Sequence, residues 1–208
     1  MNEQIIKFIK KCMWIAIGLF IFRCFLSHAE LINSFSIYSL FGFAGEAIGI
    51  TTIIMFLYEK YIWKFNPLEN TPKLKKKYKG ILKTTYDATQ RNAILIINQS
   101  LLSVNVSIMT EESKSNSISV FIENVNGEWR LVYTYHNVSS ASVRERSAIH
   151  YGTSILSLND TSHLKGQYFT DRKTTGDMDF QAVSEGMGEK SLEEQANDDR
   201  EIIKDKLR

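Results

Sequence analysis

Cysteine is scarce: the chain has two in 208 residues, and both, Cys12 and Cys24, fall in its first apolar segment. No disulfide framework can hold the remainder together, so it must fold on packed surface alone. Charge of one sign is missing as well. A net charge of +2 is too small to draw in DNA or RNA as a partner. Signatures of chemistry are also absent. The stretches GEWRLVYTYHN and HLKGQYFTDRKTTGDM contain no Walker or dinucleotide loop. HYGTS sets His150 and Ser154 on one strand face about 13 Å apart at 3.3 Å per residue, too far for a nucleophile and its base, and no GxSxG elbow frames the serine. His136, His150 and His163 lack metal-ligand spacing. The expectation is a chain without catalytic residues, metal or cofactor.

What the chain has is apolar sequence, very unevenly distributed. From Ile37 to Tyr58 it is apolar except for Glu46 and a few Ser, Thr and Tyr, about 22 residues, which span roughly 30 Å of hydrocarbon as a helix. A first segment, Ile5 to Leu26, has an apolar core from Cys12 to Phe22, preceded by Lys7, Lys10 and Lys11 and ended by Arg23. It reads as a second span. A secretory signal has a similar layout, including the small-x-small pair Ser27 and Ala29, but Arg23 stands between core and cleavage site. Lys60, Lys64, Lys73, Lys75, Lys76 and Lys77 follow the second span, while the joining loop from Ser27 to Ser36 has no Lys or Arg. Positive flanks stay inside, so both termini and everything after the spans are expected in the cytoplasm. The basic run PKLKKKYK fits a topology determinant that touches lipid headgroups. The expected organisation is a membrane region at 1–60 with spans at about 5–26 and 37–58, a basic linker at 61–77, a soluble domain at 78–183, and a charged tail at 184–208, either disordered or a short helix.

Glu46 costs roughly 2.5 to 3.5 kcal/mol inside a membrane helix, so its presence asks for a reason. Gly42, Gly45, Glu46 and Gly49 share one helix face. The GxxxG pair Gly45 and Gly49 lets another helix approach closely, and Glu46 then points into protein. Arg23 is the expected partner, within the helical hairpin or between chains. Two readings of the stripe stay open: chance glycines in a membrane helix, or helix association as part of function.

Beyond the linker the pattern alternates with period two and turns recur about every ten residues. Eight strands are expected: 78–87, 92–99, 101–110, 116–125, 128–137, 148–158, 163–172 and 176–183. Asn126-Gly127 is the strongest hairpin signal. Sequential strands joined by short turns pair antiparallel, and eight of them close into an up-and-down β-barrel. Taking the more apolar set of each strand as interior, Ile118 included, the lower end collects Leu82, Ile97, Val104, Ile122, Trp129, Leu158, Leu164 and Ala182. The upper end collects Tyr86, Thr110, Tyr133, Tyr135, His150, Tyr168, Thr170 and Arg172, and opens away from the linker. Tyrosines offer stacking faces, Arg172 a fork for phosphate, and Thr110, Thr170 and His150 hydrogen bonds. Two readings fit: rings that plug a small barrel with Arg172 solvated, or a mouth for a ligand carrying phosphate and an aromatic ring. Gly152, Gly166 and Gly176 are expected to bend strands rather than touch a ligand.

Two apolar spans, a basic linker and the stretches LVYTYHN, HYGTSILSL and LKGQYFTDRKTTGDM resemble the two-transmembrane, β-strand-rich effectors of bacterial CBASS anti-phage systems, the CD-NTase-associated barrel effectors. The resemblance covers about residues 5 to 183. It implies a multi-pass protein of the bacterial inner membrane whose barrel binds a cyclic di- or trinucleotide made by a CD-NTase. Ligand binding would drive homo-oligomerisation, disruption of the lipid bilayer and death of the infected cell, with no catalysis by this chain. The competing class is a membrane-anchored barrel that carries a lipid or another small ligand, because fold alone does not fix function.

Overall fold

The computed structural model describes residues 3–27, 36–85, 89–145 and 147–183. Two helices open the chain, α1 (Glu3–Leu26) and α2 (Ile37–Lys60). They run antiparallel, since Lys11 meets Tyr58 near one end and Arg23 meets Glu46 near the other. α2 buries Phe43, Ala47, Thr51 and Met55, a stripe at every fourth residue. Outside this seam both helices expose large apolar side chains, among them Trp14, Ile21 and Phe25 on α1 and Phe41, Ile53 and Phe56 on α2. A helix that is apolar all round is suited to lipid.

Among the described residues only α2 is long and apolar enough to cross a membrane by its own composition. Of the two expected spans, composition alone therefore supports the second. Lys7, Lys10 and Lys11 on the first half of α1 and Arg23 near its end leave an uncharged run of only Cys12 to Phe22, about 16 Å of helix. Lys11 is paired with Glu69 after α2, and Tyr58 donates to the same carboxylate at 2.7 Å. Gln4 donates to Thr71 at 2.8 Å. The basic end of α1 is therefore fastened to the linker.

A 3-10 turn after α2, Ile62–Phe65, buries Trp63 completely. Then come β1 (Lys77–Thr84), β2 (Gln90–Gln99), β3 (Val104–Thr110), β4 (Ser113–Val125), β5 (Glu128–Ser139), β6 (His150–Ser157), β7 (His163–Thr170) and β8 (Thr175–Ala182). They form a closed barrel in sequence order, each neighbour antiparallel, with β8 returning to β1. The expected eight-stranded up-and-down barrel is thus the observed one. Asn126 and Gly127 have φ of 53° and 90°, the two left-handed residues that a two-residue hairpin turn needs to match strand twist.

The barrel is filled at one end only. Tyr78, Leu95, Leu131, Leu156, Leu164 and Phe180 have no exposed surface and seal the lower half beside the linker. Each fully buried side chain of this size contributes about 1.5–3 kcal/mol. The Tyr78 hydroxyl ties the seal together, accepting from Lys75 N at 2.9 Å and donating to Thr161 O at 2.8 Å.

Two interior assignments change. Ile118 is 64% exposed, because the β4–β5 register shifts between Ser117 and Ser119. The extra residue reverses the alternation, so Ser115 faces in below the shift in sequence while Val120 and Ile122 face in after it. Leu82 belongs to the upper half, paired with Arg91 and Met178, since β1 begins at Lys77 and only two residues follow Leu82 in the strand.

Candidate ligand-binding site

The upper half of the barrel holds a cavity of about 590 Å³, within the 300–1,000 Å³ typical of small-molecule sites. Its walls differ in chemistry.

Two aromatic faces come first. Tyr135 on β5 lies across Gly152 on β6, and Tyr168 on β7 lies across Gly176 on β8. A Cβ at Gly152 would stand 2.4 Å from Tyr135 Cζ and its hydroxyl, and one at Gly176 2.5 Å from Tyr168 Cε1 and 2.2 Å from the Lys83 carbonyl oxygen, closer than any Cβ can pack. These two glycines therefore seat rings, a role the alternation pattern did not reveal. Gly166 instead lets the backbone of Ile155 pass.

A second wall is polar and uncharged. Asn137 on β5 donates to Ser115 Oγ at 2.8 Å and to Ser113 Oγ at 3.1 Å, and accepts from Ser139 Oγ at 3.3 Å. Ser147 joins Ser139 at 3.1 Å. Thr110 continues this wall on β3, receiving Ser113 N at 3.0 Å. The amide is fixed in orientation while the hydroxyls rotate, which suits donors and acceptors on a heteroaromatic edge.

The third part is the rim. Arg91, His150 and Arg172 line it together with Glu112 and Glu145. Arg172 is exposed and reaches Ala148 O at 3.4 Å. Its loop is held by Asp171, which accepts from Tyr151 N at 3.2 Å, and it turns through Lys173 at φ 61°. His150 is 8% exposed. Burial first, and then Arg172, hold its pKa below the ordinary histidine value, against the Ala148 carbonyl that favours the proton.

Of the residues expected at the mouth, Thr110, Tyr135, His150, Tyr168, Thr170 and Arg172 all line the cavity. Tyr133 does not. It lies one step deeper, 1% exposed, opposite Ser154 on β6, and neither hydroxyl makes a hydrogen bond within the protein. Burial pushes the Tyr133 pKa up. Tyr86 lies outside the described residues. Ser113 and Ser115 lie before the strand expected at 116–125, and the bulge at Ile118 hides their inward parity behind that of Val120 and Ile122; Asn137 shares the inward parity of Tyr133 and Tyr135 but, as a polar residue ending the strand expected at 128–137, was not read as part of a wall. The signal was present in SKSNS, whose serines alternate with the correct parity. Among the described residues no group of three or more His, Cys, Asp or Glu side chains gathers as a metal site.

In the helices, Arg23 Nε donates to Glu46 Oε2 at 2.8 Å within one chain, and the guanidinium lies over the Phe43 ring at 4.4 Å. The glycine stripe is elsewhere. Gly42, Gly45 and Gly49 are exposed, with open space where each Cβ would stand, so they do not form the α1–α2 seam.

Comparison with known proteins agrees with this geometry. Residues 69–182 match the family model described as Cap15, cyclic dinucleotide receptor domain. CD-NTase-associated protein 15 of Staphylococcus schleiferi is 27% identical over 184 residues, covering 86% of this chain and 97% of that protein. An eight-stranded barrel with a half-filled interior, matched along its whole length by that model, places the chain in the Cap15 cyclic dinucleotide receptor family, the CBASS-associated family its sequence resembles.

Proposed function

We propose that this chain is an effector of CBASS anti-phage defence. Its barrel binds a cyclic dinucleotide made by a CD-NTase, and the bound state drives association of the helices, disruption of the inner membrane and death of the infected cell. The observation that carries the reading is the cavity itself: rings pinned on glycines, an uncharged hydrogen-bonding wall and a rim of mixed charge that carries Arg91 and Arg172, inside a domain of the receptor family. Stacking faces take bases, the wall reads their edges, and Arg172 with Arg91 neutralises phosphodiesters. Tyr135, Tyr168, Thr110, Thr170, His150 and Arg172 are the proposed contacts. A purely apolar cargo fits poorly against so many hydroxyls and ions.

Both helices enter the inner membrane in this reading, multi-pass and with the barrel in the cytoplasm. The apolar exterior of α1 beyond Lys11 supports it, and the Arg23–Glu46 pair lowers the cost of burying either charge. The open face of Gly42, Gly45 and Gly49 is the proposed contact between copies, with Glu46 beside it.

The test is binding of the full chain in detergent to a panel of cyclic di-AMP, cyclic di-GMP, cyclic GMP-AMP and cyclic UMP-AMP, with Arg172→Ala as control. Micromolar or tighter binding of one member, weakened at least tenfold in the variant, supports the receptor. No binding across the panel rejects it. For the membrane half, Glu46→Gln and Gly45→Leu are expected to keep ligand binding and lose toxicity, and full killing by both variants would remove the helix-association step.

A further inference from the structure

Glu59 stands in the last turn of α2, where unpaired helix carbonyls make a carboxylate locally unfavourable. Its partners account for it. The carboxylate Oε1 accepts from Ser100 Oγ and from Leu102 N, the latter at 3.4 Å, and the Glu59 carbonyl accepts from Leu101 N at 3.1 Å. All three donors belong to the turn between β2 and β3. Ser100 also closes that turn on itself, its N donating to Ser103 O at 2.8 Å. Leu101 is buried at 6% exposure. The barrel turn thus caps the end of the helix, satisfying a carbonyl that the helix itself leaves open. Among the described residues Glu59 is the only α2 side chain hydrogen-bonded to the barrel.

The same hairpin reaches the cavity at its other end. β2 and β3 are paired without interruption from Gln99 and Val104 at the turn to Ala93 and Thr110 at the top. Arg91, Ile108 and Thr110 on these two strands line the cavity. One rigid two-stranded element therefore has ligand-facing side chains at its upper end and the helix terminus at its lower end. The other ties at the junction serve different parts. Gln99 holds the linker through Pro72 O and Leu74 N, each at 2.9 Å, and Glu69 holds Lys11 and Tyr58.

We infer that Glu59 is the positioning residue through which the occupied barrel orients α2, with the β2–β3 hairpin as the connecting lever. This rests on the reading of the chain as a receptor that acts on the membrane. A ligand that shifts Arg91 and Thr110 moves the hairpin as a body, and the clamp at Glu59 carries that movement into the helix.

The test uses the full chain in vesicles of phosphatidylethanolamine and phosphatidylglycerol loaded with a self-quenching dye. Affinity and dye release are measured with the same four cyclic dinucleotides. Glu59→Ala is expected to bind within twofold of the parent, keep its thermal midpoint, and release dye at least tenfold more slowly. Glu59→Gln keeps the acceptor oxygen and is expected to restore release. Ser100→Ala, which leaves the helix untouched, is expected to slow release about threefold. Dye release by Glu59→Ala at the parental rate overturns the inference, as does a parallel fall in affinity, which would make Glu59 part of barrel folding. A parent that binds but releases no dye rejects the membrane action as well, and so separates that failure from failure of the clamp.

Discussion

Gly152 lacks a side chain where the Tyr135 ring lies against the neighbouring strand. Adding one methyl there forces the ring off its seat, and overpacking of this kind costs about 1–3 kcal/mol. Gly152→Ala is expected to lower the urea midpoint of the barrel and to weaken ligand binding more than stability alone explains, since the displaced ring enters the cavity. Titration with urea and with ligand in parallel checks both. His150, a proposed contact, is a titratable side chain buried at the cavity. Burial holds its folded pKa below the unfolded value near 6.5, so the folded chain binds fewer protons than the unfolded one between the two values. Stability is fully present above about pH 6.5 and declines as pH falls toward the folded pKa. A phosphate placed beside the ring pulls its pKa back up, so affinity should rise as pH drops from 7.5 to 6. Calorimetry in two buffers of different ionisation enthalpy should register proton uptake on binding that His150→Gln abolishes.

Elements here carry separable duties. The β4–β5 hairpin turns through Asn126 and Gly127, both left-handed, at the closed end of the barrel. Gly127→Ala puts a Cβ on a residue at φ 90° and is expected to cost about 1–2 kcal/mol, read as a lower urea midpoint. Ligand affinity should not change, because the turn and the cavity lie at opposite ends. The bulge between Ser117 and Ser119 does the reverse service: it turns the serines of early β4 into the cavity and leaves Ile118 outside. The alternation ISVFI is legible as a strand, but the added residue that reverses its facing leaves no mark in composition. For the same reason the barrel's apolar floor was legible and half of its polar wall was not.

The whole molecule is a two-helix hairpin fastened to a barrel that is packed below and hollow above. Arg23 and Glu46 hold the hairpin at one end, while Lys11, Tyr58 and Glu69 hold it at the other. In the bilayer an unpaired carboxylate costs about 2.5–3.5 kcal/mol. Arg23→Ala is therefore expected to lower the amount of chain recovered in the inner-membrane fraction, and Arg23→Ala with Glu46→Ala to restore it. Recovery in the double variant equal to that of Arg23→Ala alone would show that the two side chains act independently.

Period-two alternation, an Asn-Gly turn and short connections determined the closed eight-stranded barrel, because hydrophobic pattern and turn chemistry are local properties of consecutive residues. The apolar run from Ile37 to Tyr58 likewise fixed a membrane-length helix, and the charges at Arg23 and Glu46 named their own partnership. Tertiary structure alone decided which residues meet across the barrel. Tyr135 on Gly152, Asn137 among the serines, and Glu59 on the β2–β3 turn join positions 17 to 43 residues apart. Such contacts depend on register, bulge position and the angle at which a helix reaches the barrel, and those are set by packing of the whole chain.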